Sequence, residues 1–299
     1  MLNRWIGIAL FGLMMAANSG LFMRDILPAW TAGDPPQAKV VRISPGEEHW
    51  SQTTIENQDR RIIGRSWSRL HRTSGNVATQ RVETFINSFR LPNGVFLPPF
   101  HVQFQLIYHG SPEQLEEIEM FVEGLPMPLR LEGRLVSDQF ACMWRIGPQN
   151  GRFILDAAAT RTFGDALRPF DQLPNLVVGQ SWRVRLLNPL AEMLPGFQTG
   201  QMESESMLVR VVATETVSHR GASIEAFRVE APRVRAWVAP DGTVLRQEVD
   251  LPLLGMLRIM DEPHSRTLYD STVEEFRSLI GPIDPEFHIG FQRGGDEGE

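Results

Sequence analysis

RVRAWVAPDGTVLRQEVD, from Arg233 to Asp250, carries the clearest structural signal in the chain. Two runs of alternating apolar and polar residues flank Pro240-Asp241-Gly242, a turn former followed by a residue free to take positive φ. That pattern reads as a β-hairpin with a short bulged turn, in which Gly242 holds the left-handed position. The signal is structural and not catalytic.

Working outward, the neighbours are also strands. Upstream, Met207–Val217 and Ser223–Glu230 are joined across His219-Arg220-Gly221. Gly179 opens a run with Trp182, Val184 and Leu186 on one face and Ser181, Arg183 and Arg185 on the other. Further back, Leu129–Leu135 and Gln139–Ile146 form a hairpin across Ser137-Asp138, and Phe153–Ala157 follows. In His101–Tyr108, Val102, Phe104, Leu106 and Tyr108 share one face, with His101, Gln103 and Gln105 opposite. Val77–Arg90 and the run holding Ile63, Trp67 and His71 complete the series towards the N-terminus. The stretch after Ser111-Pro112-Glu113-Gln114 carries a helix-start signature, but Ile118, Met120 and Val122 alternate at period two, and strand neighbours favour a strand. Downstream, Leu254–Ile259 adds a last strand. Ser271-Thr272-Val273-Glu274 reads as a capping box, with Val273, Phe276 and Leu279 at helical spacing. Short helical pieces are expected within Gly164–Leu176 and at Asn188–Leu194. About a dozen short strands at hairpin spacing predict an all-β fold, an antiparallel curled sheet that is a half-open barrel or a sandwich with few short helices.

Composition sets the surroundings of this body. The chain has 299 residues, a net charge of −7 and no basic block, which argues against a nucleic-acid surface. Lys39 is the only lysine among 29 basic residues, a usage that fits the codon bias of a GC-rich bacterial genome. Trp5–Met23 is uncharged and apolar apart from Asn18 and Ser19, and at about 1.5 Å per residue it covers roughly 28 Å, close to a bilayer's hydrocarbon thickness. Trp5 and Trp30 bracket it as interfacial aromatics do. The expectation is an N-terminal transmembrane helix; a cleaved signal peptide, with Ala16, Ala17 and Ser19 near the processing site, is the competing reading. Residues 1–30 are thus read as anchor or signal peptide, 31–46 as a Pro/Gly linker, 47–280 as an extracytoplasmic β domain, and 281–299 as a flexible acidic tail.

Candidate chemistry is sparse. The seven histidines lie at 49, 71, 101, 109, 219, 264 and 288, none in a metal-ligand spacing, and each reads as a surface or turn histidine. Cys142, the only cysteine, sits in an apolar strand and reads as a buried inert thiol. Asp156, Asp165 and Asp171 read as turn caps, and Glu113, Glu116, Glu117, Glu119 and Glu123 as a solvated acidic face. No phosphate loop or nucleophile elbow is present, so no catalytic residue, metal site or cofactor is expected, and an enzyme is the least favoured class. The apolar faces are more suggestive. Trp67, Trp144, Trp182 and Trp237 fall in predicted strands and either make the core or line a groove for an acyl chain.

The hairpin Trp237–Arg246 resembles the tryptophan–aspartate–glycine hairpin of uncharacterised bacterial envelope β modules. Leu173–Trp182 and Asn188-Pro189-Leu190 look like the same pattern. Some such modules precede transglutaminase-like domains, and others look like half-barrel periplasmic domains of unknown function related to lipoprotein carriers. The resemblance spans roughly residues 55–265 and implies an all-β envelope module, with no catalytic residues to carry over. The expected function is a non-enzymatic accessory or binding module of the bacterial envelope, holding a lipid or acyl chain in a curled sheet. The alternative is a scaffold subunit that docks onto a membrane transporter or envelope-enzyme complex. The expected place is the inner membrane, single-pass, with the C-terminal domain periplasmic. Its expected partners are the membrane through the N-terminal helix and a lipid or envelope protein, with no nucleic acid.

Overall fold

The computed structural model describes residues 46–73, 77–91, 94–110, 114–137, 139–156, 172–185, 206–251 and 254–281, together with Ala32, Gly33, Pro36, Ser44 and Phe170. The expected anchor Trp5–Met23, the tail beyond Gly281 and the helical pieces at Gly164–Pro169 and Asn188–Leu194 lie outside the described residues. No helix among the described residues is long and apolar enough to cross a membrane.

Among the described residues, sixteen strands follow one another: β1 Glu48–Glu56, β2 Ile62–Arg72, β3 Val77–Ile86, β4 Phe89–Arg90, β5 Phe96–Leu97, β6 Phe100–His109, β7 Gln114–Glu123, β8 Leu129–Val136, β9 Gln139–Ile146, β10 Gln149–Asp156, β11 Ser181–Arg185, β12 Ser206–His219, β13 Ala222–Ala231, β14 Val234–Val238, β15 Val244–Leu251 and β16 Gly255–Glu262. Helix α1, Arg266–Ile280, comes last. Fourteen strands make one sheet in the order β10-β9-β8-β7-β6-β3-β2-β1-β16-β15-β14-β13-β12-β11, while β4 and β5 pair as a small ribbon. Every named ladder pair in it is antiparallel. The chain therefore lays down one meander from β1 to β10, crosses to the opposite edge at β11, and returns until β16 pairs with β1, Gln52 opposite Glu262 and Ile55 opposite Ile259. The sheet is not closed: β10 and β11 are its two ends.

Local chemistry explains the hairpins. Between β12 and β13, Arg220 and Gly221 both hold positive φ, 50° and 78°, the pairing that a two-residue turn of matching twist needs. Between β14 and β15, Gly242 sits at φ 92°, its N–H donates to the Ala239 carbonyl at 2.9 Å, and the Thr243 N–H donates to Asp241 Oδ1 at 2.9 Å. The ladder shifts register between Trp237 and Val238, a bulge beside the turn.

The alternation sorts the sheet into two faces. Val102, Phe104, Leu106, Ile118, Met120, Leu131, Phe140 and Cys142 fall on one face of β6–β9, and Trp182, Val209, Val229, Ala236, Val249 and Leu257 fall on the corresponding face of β11–β16. Laid flat, fourteen strands at about 4.8 Å would span roughly 60 Å and leave that face in water. Instead Ile118, Leu131, Phe140, Val209, Val229 and Ala236 are all fully buried. The sheet is curled with this face inward, as long twisted sheets do.

The approach to β11 crosses the inward face and fills part of it. Phe170, Leu173 and Leu176 join the core of the β11–β16 half. Gln247 clamps this segment, its Oε1 accepting from the Phe170 N–H at 3.3 Å and its Nε2 donating to the Phe170 carbonyl at 3.0 Å. Leu173 N–H donates to the Gly242 carbonyl at 2.9 Å, so the crossing segment rests on the hairpin turn. Gly33, in the expected linker, pairs in parallel with Trp182 at the β11 edge, its N–H on the Ser181 carbonyl at 2.9 Å.

Helix α1 packs on the other, outward face. It starts earlier than the capping-box reading placed it. Ser265 in extended conformation caps it, its hydroxyl accepting from the Leu268 N–H at 3.3 Å, while Ser271 lies inside the helix and donates to the Leu268 carbonyl. Pro263 follows the preceding strand, and the apolar period then runs Tyr269, Val273, Phe276, so the stripe begins one turn before Val273. Gly281, at φ 95°, closes the helix with its N–H on the Arg277 carbonyl at 3.1 Å.

Candidate functional site

The four tryptophans singled out in the sequence, Trp67, Trp144, Trp182 and Trp237, do not meet. Trp182 is 1% exposed and packs in the inward core of β11–β16 with Val184 and Val209. Trp144, on β9, is half-buried against the second inward core, that of β6–β9, and its indole lies against Gly151, where a Cβ would come within 2.6 Å of the ring. Trp67 and Trp237 both face outward. Trp67 is fully buried beneath α1 with Phe85, Tyr269 and Phe276, and its Nε1 donates to Gln52 Oε1 at 3.0 Å. Trp237 carries the Arg246 guanidinium 3.6 Å above its ring centroid and donates from Nε1 to Glu215 Oε2 at 3.0 Å. The Trp237 N–H, with the Arg228 guanidinium, holds the Glu215 carboxyl below its usual range. A row of rings seen as one set in the sequence is thus divided among four clusters. Alternation sets the face of a residue, whereas distance along the sheet and what packs on each face set its neighbours.

Pro240, Asp241 and Gly242 form the β14–β15 turn and have a tertiary role as well. A Cβ on Gly242 would lie 2.8 Å from Pro174 Cα, so the crossing segment sits directly on the glycine.

The inward face carries two buried apolar clusters. The β11–β16 part is occupied by Phe170, Leu173 and Leu176 of the crossing segment. The β3 and β6–β9 part is a second cluster of Val82, Phe104, Ile118, Leu131, Phe140 and their neighbours. Between them runs a hydroxyl row at β1–β2–β3, where Thr53, Ser66 and Thr84 stand opposite one another and are 3%, 7% and 0% exposed. Thr84 donates to the Ser66 hydroxyl at 2.8 Å, and Gln80 Nε2 donates to Ser68 at 3.1 Å. Small hydroxyl side chains that hydrogen-bond one another are tolerated in such a place. Chemically, the face can shield an apolar chain and offer hydroxyls beside it.

The remaining candidates sort as follows. Cys142 lies on the inward face 2% exposed, and burial pushes its thiol pKa up to about 12, so it is not a thiolate nucleophile. His109 pairs with Glu116 at 3.9 Å, His219 with Asp261 at 3.6 Å, and His264 stacks on Trp50 with centroids 5.0 Å apart. His101 departs from the surface reading. It is fully buried as the second residue of β6, on the face that α1 covers, and it lies between Glu83 and Glu123. Nothing local marks that burial; the one available signal was Tyr269, Val273 and Phe276 at helical spacing, an apolar stripe that needs a cover. Of the acidic run, Glu117 pairs with Arg134 at 2.7 Å on the outward face. Among the described residues, no group of three or more His, Cys, Asp or Glu is placed to hold a metal ion.

No family model and no curated protein matches the chain. Among solved structures, it is similar to the crystal structure of a beta-barrel-like protein of a domain of unknown function, DUF1849, from Brucella abortus, at 8% identity and a TM-score of 0.36, over 72% of this chain and 94% of that one.

Proposed function

We propose that the chain is a non-catalytic accessory or binding module of a bacterial envelope, and that it takes an acyl chain against the inward face of β6–β9. One observation carries this reading: an unbroken apolar face over four strands borders a row of buried hydroxyls, which suits an amphiphile's tail and head together. The anchor at Trp5–Met23 would hold the module at the inner membrane with its β body on the periplasmic side, where lipids are the nearest apolar ligands. Trp144, half-buried at this face, reports on it directly. The test is quenching of tryptophan fluorescence by a brominated fatty acid added to the full chain stripped of lipid. Saturable quenching that falls when Trp144→Phe is introduced is the expected result. Quenching that never saturates, or that Trp144→Phe leaves unchanged, overturns the reading.

A second reading, a scaffold subunit docking onto a transporter or envelope-enzyme complex, is favoured by one feature. Strand β10 ends the sheet, and Ile154 on it is 64% exposed with Met143 of β9 also 48% exposed. Charged substitution at Ile154 would abolish such docking and leave acyl binding intact.

A further inference from the structure

Strands β3, β6 and β7 place Phe85, His101 and Glu123 in one cross-strand row on the outward face, with Glu83 and Gln103 in the next. The Phe85 and His101 rings stack with centroids 4.2 Å apart and planes 12° from parallel. His101 Nε2 lies 3.8 Å from Glu83 Oε2, and Nδ1 lies 3.7 Å from Glu123 Oε2. Helix α1 closes over this row. Tyr269 Oη donates to the same Glu83 Oε2 at 2.8 Å, and Phe276 meets Phe85 edge-on at 5.1 Å. One carboxylate oxygen is therefore shared between the helix and the imidazole. His101 and Glu83 are 0% and 1% exposed and Tyr269 is 4% exposed, so water does not moderate their charges.

One proton on His101 changes the charge balance of this pocket. With His101 as imidazolium, it stands between two carboxylates and opposes both. With His101 neutral, Glu83 and Glu123 lose the imidazolium that stands between them. Gln103 Nε2, 3.4 Å from His101 Nδ1, brings no charge. Other charged groups stand on the elements around it. On β3, Arg81 donates to Gln105 at 2.9 Å, and on β2, Arg65 lies in the same row on the far side of Phe85. On α1, Asp270 and Arg277 act on Tyr269 in opposite senses. His101 Nε2, Glu123 Oε2 and Gln103 Oε1 are buried without a hydrogen-bond partner, so the pocket is held by charge more than by hydrogen bonds.

We propose that Glu83, His101 and Glu123 form a proton-sensitive latch for helix α1, closed while His101 is an imidazolium and loosened when it loses its proton. Opening the latch bares Trp67 and Phe85, the ring platform that α1 covers. This rests on the outward face alone and is independent of what the inward face binds. Burial lowers the His101 pKa, but Glu123 and Glu83 more than offset it, so the folded-state value is raised. A raised histidine pKa gives stability that is fully present below the unfolded value and is lost as pH rises through the folded value. The latch therefore loosens on the alkaline side.

The test is amide hydrogen exchange of residues 269–280 in the full chain from pH 5.5 to 9, corrected for the intrinsic rate. The opening constant should be flat at the acid end and rise about tenfold per pH unit above the ordinary imidazole value of about 6.5, until the folded-state value is passed. His101→Gln should flatten that dependence. Tyr269→Phe should lower protection at every pH and keep the slope, since it removes a helix contact and no titrating group. Should His101→Gln fail to fold, Glu123→Gln, at a position 17% exposed, takes its place and should shift the window to lower pH. A pH-independent opening constant in the wild type overturns the latch. So does a slope that survives His101→Gln, or a window that Glu123→Gln leaves in place.

Discussion

Replacing Gly242 by alanine tests how the hairpin supports the fold. Two costs are visible. At φ 92° an L-residue carries a penalty of about 1–2 kcal/mol from its own backbone. The added Cβ would also lie 2.8 Å from Pro174 Cα, 2.9 Å from Pro174 N and 3.1 Å from Leu173 C. These are backbone atoms and cannot rotate aside, so the crossing segment must shift. That shift strains the Leu173 N–H to Gly242 carbonyl bond, worth about 1 kcal/mol, and the packing of Phe170, Leu173 and Leu176, where overpacking costs about 1–3 kcal/mol. Together, Gly242→Ala should destabilise by about 3–6 kcal/mol. In a urea titration with a slope of about 2–3 kcal/mol per molar, the midpoint should fall by about 1–3 M. Asp241→Ala is the control, since it loses one exposed side-chain hydrogen bond to the Thr243 N–H and should cost about 0.5–1 kcal/mol. Gln247→Ala loosens the same crossing segment at Phe170, so the double variant should lose less than the sum of the two single losses. Equal midpoints for Gly242→Ala and Asp241→Ala, or strict additivity with Gln247→Ala, would refute the claim that the turn props the segment.

Trp182→Ala should cost about 3–5 kcal/mol in the same assay, because a ring 1% exposed leaves a cavity in a packed core. A loss below about 1 kcal/mol would mean that the β11–β16 half is open to solvent. Cys142, with its thiol pushed up to about 12, should be about one part in ten thousand thiolate at pH 8 and react with a disulfide reagent only after unfolding in urea. Complete labelling of the native chain within minutes would contradict its burial.

Period-two alternation is a local property, so the strands and their faces were legible in the residues. Val102, Phe104, Leu106 and Tyr108 fall on one face and His101, Gln103 and Gln105 on the other, as the pattern requires. The Arg233–Asp250 hairpin was equally legible, since a proline, an aspartate and a glycine in that order fix the turn through backbone sterics alone. What covers each face was not legible, because burial depends on residues far away in the chain. Pairing of β16 with β1 joins Ile259 to Ile55 across some two hundred positions, and no local pattern encodes that register. The same holds for the tryptophans, alike in the sequence and divided among four clusters by the curl of the sheet and by the helix outside it. His101 shows the point most sharply. Its alternation placed it on the polar face, which is usually wet, and only α1 packing across β1, β2 and β3 beside it turned that place into a buried one between two carboxylates. Sequence fixed the direction in which each side chain points; the tertiary structure decided whether water or protein meets it there, because solvation is set by the whole surface that folds over a residue and not by its neighbours along the chain.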